Sequence, residues 1–111
     1  MNLYEIWVDL VPGTPDLEFV AAVEGWLGLL KDRGTVESWR VSRRKFGFGP
    51  EGLGEWHVSI EFRDLAQMDE AFHHAARRTQ DVEEAHARVY RIVTNFKSGL
   101  YRDFPDPERA Q

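Results

Sequence analysis

His57 lies in the segment EWHVSIEF, residues 55–62, where strict alternation places it on one side of a strand together with Glu55, Ser59 and Glu61. An imidazole beside a carboxylate can serve as a general base near neutral pH. The carboxylates available to orient it are Glu61 on the same strand and Glu5 and Asp9 in the N-terminal segment LYEIWVDL. Arg40 and Arg44, in TVESWRVSRRKF, carry planar forks able to hold a carboxylate, enolate or phenolate of a ligand. Trp7 adds an aromatic surface. These residues form the candidate site: His57 as its catalytic group, with Glu5, Trp7, Asp9, Arg40, Arg44 and Glu61 as ligand contacts. The same set also describes a buried polar network at a subunit seam, in which His57 does no chemistry, and the residues alone leave both readings open.

Two further patterns invite chemistry. Glu70 with His73 and Glu83 with His86 repeat the Glu-x-x-His spacing of helical di-iron ligands. Along one continuous helix at about 1.5 Å per residue the pairs stand ~20 Å apart, with azimuths differing by more than half a turn. They cannot share an ion within one chain, so they read as solvated helical side chains and no metal or other cofactor is expected. Gly47, Gly49 and Gly52 in KFGFGPEGLGEWH match the G-x-G-x-x-G spacing of phosphate loops. A dinucleotide loop needs a helix directly after the glycines, whereas here Glu55 opens a strand. The stretch therefore reads as a long hairpin connection whose Phe46, Phe48 and Leu53 are apolar for an exposed tip.

Composition narrows the chemistry. With no cysteine among 111 residues, thiolate nucleophiles, disulfides and Cys-ligated metals are excluded. The net charge of −5 argues against a nucleic-acid partner, whose affinity rests on a basic face. RNA-recognition motifs stack bases on a bare sheet face, and KFGFG superficially resembles their aromatic signature, but its glycine is misplaced and the surrounding carboxylates would repel phosphates. No apolar run is long enough for a signal peptide or a membrane span, so the expectation is a cytoplasmic protein.

The elements that must position these residues follow from periodicity. LYEIWVDL alternates Tyr4, Ile6, Val8 and Leu10 against Leu3, Glu5, Trp7 and Asp9. VPGTPD then ends the strand, with Thr14 as N-cap and Pro15 at the first helical position. Phe19, Val20, Val23, Trp26, Leu27 and Leu30 recur at helical spacing up to Gly34. Opposite them Ala21, Gly25 and Gly28 make a small stripe, either a tolerated cost or a place for another backbone to approach. A second strand from Thr35 alternates Trp39 and Val41 against Ser38, Arg40, Ser42 and Arg44. The third, residues 55–62, alternates Trp56, Val58, Ile60 and Phe62 against the polar set that holds His57.

Asp64 and Gln67 resemble a capping box, followed by a helical stripe of Leu65, Met68, Phe72 and Ala75 or Ala76. Helical spacing resumes at Val82, Ala85, Val89, Ile92 or Val93, and Phe96, so the second helix is long and bent near residues 79–81 or split there. A last strand spans residues 97–104, giving one domain over 1–104 and a tail over 105–111. The order predicts an α+β, ferredoxin-like βαββαβ sandwich: a four-stranded antiparallel sheet of order 4-1-3-2 with helices on one face.

The face without helices then carries the whole candidate site. Either it is an open polar surface with one exposed Trp, or a second copy covers it and encloses a cavity for a small organic ligand. On this arrangement the chain resembles the dimeric α/β-barrel superfamily, in which two such sheets pack face to face. That superfamily includes small antibiotic-biosynthesis-type monooxygenases and stress-responsive barrel proteins. The resemblance implies a homodimer through the open sheet face and the 46–54 loop. It also implies a ligand, in some members haem, in the cavity between sheet and helices, but no catalytic motif carries over residue by residue. With NLYEIWVDL, ESWR at residues 37–40, LGEWHVSIEFRDLAQMD and LYRDFPDP, the whole chain further resembles a small family of bacterial proteins of unknown function. The expected function is small-ligand binding or cofactor-free catalysis; the alternative is a structural dimerisation module without activity.

Overall fold

Alternation and helical spacing gather most of the apolar residues of the first and third strands and of the helices on one side of each element, and the computed structural model brings those sides together. It describes residues 1–77 and 80–105, without the side chains of residues 74–77. The elements are β1 (Asn2–Leu10), α1 (Asp16–Asp32), β2 (Ser38–Arg43), β3 (Trp56–Phe62), α2 (Leu65–Arg77), α3 (Gln80–Tyr90) and β4 (Val93–Arg102). The strands form one antiparallel sheet of order β2-β3-β1-β4, with the helices on one face, as the sequence predicts. The second helical run comprises two helices. The expected bend or break at Thr79, the Ala75 and Ala76 side chains and tail residues 106–111 lie outside the described residues.

Boundaries move where local chemistry decides them. Pro15 is extended (φ −64°, ψ 139°), so α1 starts at Asp16, one residue later than Thr14 as cap implies, and its carbonyl accepts from Phe19 N–H. At the other end Gly34 takes a positive φ of 76°, and Thr35 N–H returns to Leu30 O, turning Thr35 and Val36 into the core. That inward turn delays β2 to Ser38. The predicted Asp64–Gln67 box forms with one change of partner. Asp64 Oδ1 accepts from Gln67 N–H at 2.8 Å, while the Gln67 carbonyl takes the Arg63 N–H, at 2.6 Å, in place of Asp64's own. The Gln67 amide also donates to Gly34 O and Glu37, which ties the start of α2 to the exit of α1.

The core is built on α1 and the two central strands. Phe19, Val23 and Leu27 are almost wholly buried against Val8, Trp56, Val58 and Ile60, with the Phe19 and Trp56 rings edge to face at 5.3 Å. Strand β3 alternates buried and half-buried along its length, the cleanest pattern in the sheet. Strand β4 is largely exposed, since the helices cover the sheet mainly over its other strands. Its pairing with β1 contains a bulge between Trp7 and Asp9, where Asn95 has φ +54°. The bulge leaves Phe96 on the helix side and Lys97 opposite Trp7 on the bare side.

The small stripe on α1 admits no second backbone: a Cβ at Gly25 would meet nothing within 4 Å, and one at Gly28 only the tip of Trp39. Gly54 differs, because a Cβ there would lie 2.3 Å from the Val8 carbonyl carbon. We expect Gly54→Ala to cost about 1–3 kcal/mol by forcing the strand and loop apart. Gly25→Ala, which removes only helical glycine entropy, should stabilise by up to ~1 kcal/mol. Urea denaturation of the two variants checks both signs.

Candidate functional site

Antiparallel register sets the bare sheet face. Trp7 lies opposite His57 and Lys97, Glu5 opposite Ser59 and Gly99, and Arg40 opposite Ser59 from the other side. The Trp7 and His57 rings stack with centroids 5.1 Å apart and planes within 7°. His57 Nε2–H donates to Glu5 Oε2 at 2.8 Å, an assignment that follows because a carboxylate only accepts. Ser59 Oγ donates to the other oxygen, Glu5 Oε1, at 3.0 Å. The Glu5 side chain is 13% exposed and that of His57 34%, so the carboxylate is the more shielded member of the pair.

The other sequence-predicted residues scatter from this centre. Glu61 accepts from Ser38 Oγ at 2.8 Å and does not orient His57. Asp9 Oδ1 accepts from Glu55 N–H at 2.9 Å and Oδ2 from the Asn95 amide at 3.0 Å. The Glu55 N–H first, then the Asn95 amide, hold the Asp9 carboxyl below its ordinary range; burial opposes them, and the charges of Arg44 and Lys97 add smaller lowering effects. Arg44 Nη2 donates to the carbonyls of Leu53 and Gly54 at 2.5 and 3.3 Å, bracing the loop instead of reaching outward. Arg40 is exposed and forms no ion pair among the described residues. Of the seven predicted residues, then, Glu5, Trp7 and His57 converge; Asp9 and Arg44 organise the 44–55 connection instead.

The phosphate-loop spacing has a backbone explanation. Gly47 and Gly52 occupy positive φ of 66° and 86°, and both belong to turns of the loop. Phe46 and Phe48 are 93% and 90% exposed at its tip. Lys97 Nζ donates to Gly52 O at 2.6 Å, so the returning limb crosses the bare face toward β4.

The enclosed space lies on the other side of the sheet. A cavity of about 620 Å³ separates the helix-facing side of β1, β3 and β4 from the helices. Its floor is Tyr4, Ile6, Ile60 and Phe96, and its roof includes Trp26, Leu27 and Phe72. Glu83, His86 and Tyr90 line one wall from α3, three and four residues apart and hence on one helical face. The His86 ring lies 4.9 Å from that of Trp26 and 5.3 Å from that of Tyr90. Partial burial lowers the His86 pKa, which keeps the imidazole neutral at neutral pH although part of its surface is accessible.

The sequence reading treats Glu83 and His86 as solvated. The predicted stripe residues Val82 and Ala85 do turn inward to pack; what the reading misses is that this carries the flanking 83–86–90 face to the cavity edge. The signal available was the aromatic residue four positions after His86. The two Glu-x-x-His pairs lie on separate helices, and among the described residues no group of three ligands converges on an ion site.

This fold and the paired polar face define the class: a ferredoxin-like α+β protein of the kind found as dimers. Three solved structures share it. One is a dimeric protein of unknown function with ferredoxin-like fold from Bacteroides fragilis (TM-score 0.57, 12% identity, covering 92% of this chain and 95% of that one). The second is SnoaB, a cofactor-independent oxygenase from Streptomyces nogalater (0.65, 11%, 95% and 98%). The third is a hydroxynitrile lyase from Passiflora edulis (0.67, 10%, 96% and 96%). At such identities the likeness is one of fold. The chain itself belongs to the family of unknown function DUF6614, whose model matches residues 1–111. A search of curated proteins finds no match.

The Asp9 contacts generate a pH prediction. A carboxyl whose folded pKa is depressed contributes stability that is complete above its unfolded value, 3.8, and is lost as pH falls through the lower folded value. The stability gap between wild type and Asp9→Asn should therefore be constant above about pH 5 and close below pH 4. Thermal melts across that range measure it.

Proposed function

We propose that the protein is a homodimer that binds a small, largely apolar organic molecule in the cavity between sheet and helices and acts on it without a cofactor. The cavity carries this reading. Its volume falls within the range of small-molecule sites, its lining is mainly apolar, and a few polar groups are gathered on one wall. His86, neutral and beside that space, can accept a proton from a ligand held there. Two proteins of the same fold, the oxygenase and the lyase, support the enzymatic part by analogy of architecture.

The bare sheet face takes the other role, as the seam between subunits. A Trp stacked on a His, a half-buried carboxylate and the exposed Arg40 suit a balanced surface covered by a partner. His57 is then a seam residue whose hydrogen bond to Glu5 keeps two half-buried polar groups satisfied, and the same satisfaction favours, as a second reading, a structural module whose only work is dimerisation.

Light scattering behind size exclusion should give twice the 12.9 kDa chain mass at micromolar concentration. Trp7→Glu, which places a second carboxylate beside Glu5 on the seam, should shift it to monomer while circular dichroism is retained; a dimer untouched by this change would place the seam elsewhere. The neutral dye N-phenylnaphthylamine should bind saturably, with energy transfer from tryptophan. Ala71→Phe, which fills the cavity from its α2 wall, should weaken that binding at least tenfold. Saturable binding that survives Ala71→Phe, or its absence in wild type, would favour the structural module.

A further inference from the structure

The charge of the cavity wall is one-sided. Among the described residues that line it, Glu83 is the one acid, and neither Lys nor Arg is present. The imidazole of His86 adds no positive charge, because its partial burial favours the neutral form. Among the described lining residues, an anionic ligand would meet this carboxylate and no Lys or Arg to offset it. The remaining polar character comes from ring faces: Trp26 and Tyr90 flank His86, Tyr4 and Phe72 lie 5.4 Å apart, and Phe96 closes the β4 side. Such faces carry negative potential and attract a cation, Trp most strongly. The rim residues Phe72, Tyr90 and Phe96 are all exposed, so a charged group could reach the rings without crossing the apolar floor.

Resting on the cavity reading above, we propose that the ligand is a hydrophobic organic cation of the arylalkylammonium class. Its ammonium group sits at the rim between Glu83 and the aromatic faces, and its apolar body lies against Ile6, Leu27 and Ile60. The arrangement uses both halves of what an amine of this kind offers. A carboxylate takes the N–H or N-methyl charge, and the aromatic rim removes that charge from water at low cost because the rings replace part of its hydration. The protein's net charge of −5 favours the approach of such a ligand over that of an acid.

Three molecules of nearly equal shape separate charge from size: phenylpropylamine, phenylpropanol and phenylpropionate. Each is titrated against the dimer by calorimetry and by displacement of N-phenylnaphthylamine. The amine should bind about tenfold more tightly than the alcohol, with the carboxylate weakest, and its advantage should shrink as salt is added. Glu83→Gln should bring the amine down to the affinity of the alcohol and leave the alcohol unchanged. Alcohol binding equal to or tighter than amine binding overturns the cation assignment while leaving the cavity reading intact. So does an amine preference that survives Glu83→Gln. Failure of the neutral dye to bind removes the cavity reading and this one with it.

Discussion

A four-stranded sheet has two faces, and the helices of this chain suffice for one. Every other feature follows from that inequality. On the helix side, the alternating residues Ile6, Val8, Trp56, Val58, Ile60 and Phe62 find Phe19, Val23, Leu27 and Leu30, and their burial drives folding. On the far side the same alternation leaves a row of polar groups and Trp7, which the chain partly satisfies by pairing them with one another. The covering is also incomplete on the helix side itself. Strand β4 receives little from the helices, and the gap over Tyr4, Ile6 and Phe96 becomes the cavity.

The order of the sheet and the two faces were legible in the sequence because strand alternation in β1 and β3 is strict, and a one-residue slip would turn every core side chain outward. The convergence of Glu5, Trp7 and His57 was legible for the same reason, since all three lie on one face of adjacent strands. The departures have local causes. Asp9 shares that face, yet its carboxylate goes to the Glu55 N–H, because the hairpin connection doubles back across β1 and leaves this backbone donor facing it. Arg44 is drawn away by the same loop, whose carbonyls at Leu53 and Gly54 are nearer than any ligand. The β1–β4 bulge depends on Asn95 adopting a positive φ, for which the flanking residues give no periodic signal.

The two histidines that matter occupy opposite physical situations. His57 has a carboxylate within hydrogen-bonding distance and a ring stacked on it, which together fix its position. His86 lies among the Trp26 and Tyr90 rings, where desolvation disfavours the charged form. The Glu5 contact engages Nε2 of His57 and leaves Nδ1 as that ring's acceptor, whereas His86 lines the cavity itself. From sequence alone the first looks more catalytic, because an acid–imidazole pair is the more familiar pattern. In the structure His86 lines the cavity on the helix side, while His57 projects from the bare side of the sheet.

Both faces draw on one strand. Tyr4 and Ile6 on the cavity floor alternate along β1 with Glu5 and Trp7 on the bare face. Strand β1 is central in the sheet, paired with β3 on one side and with β4 on the other, and its pleat sends alternate residues to the two faces.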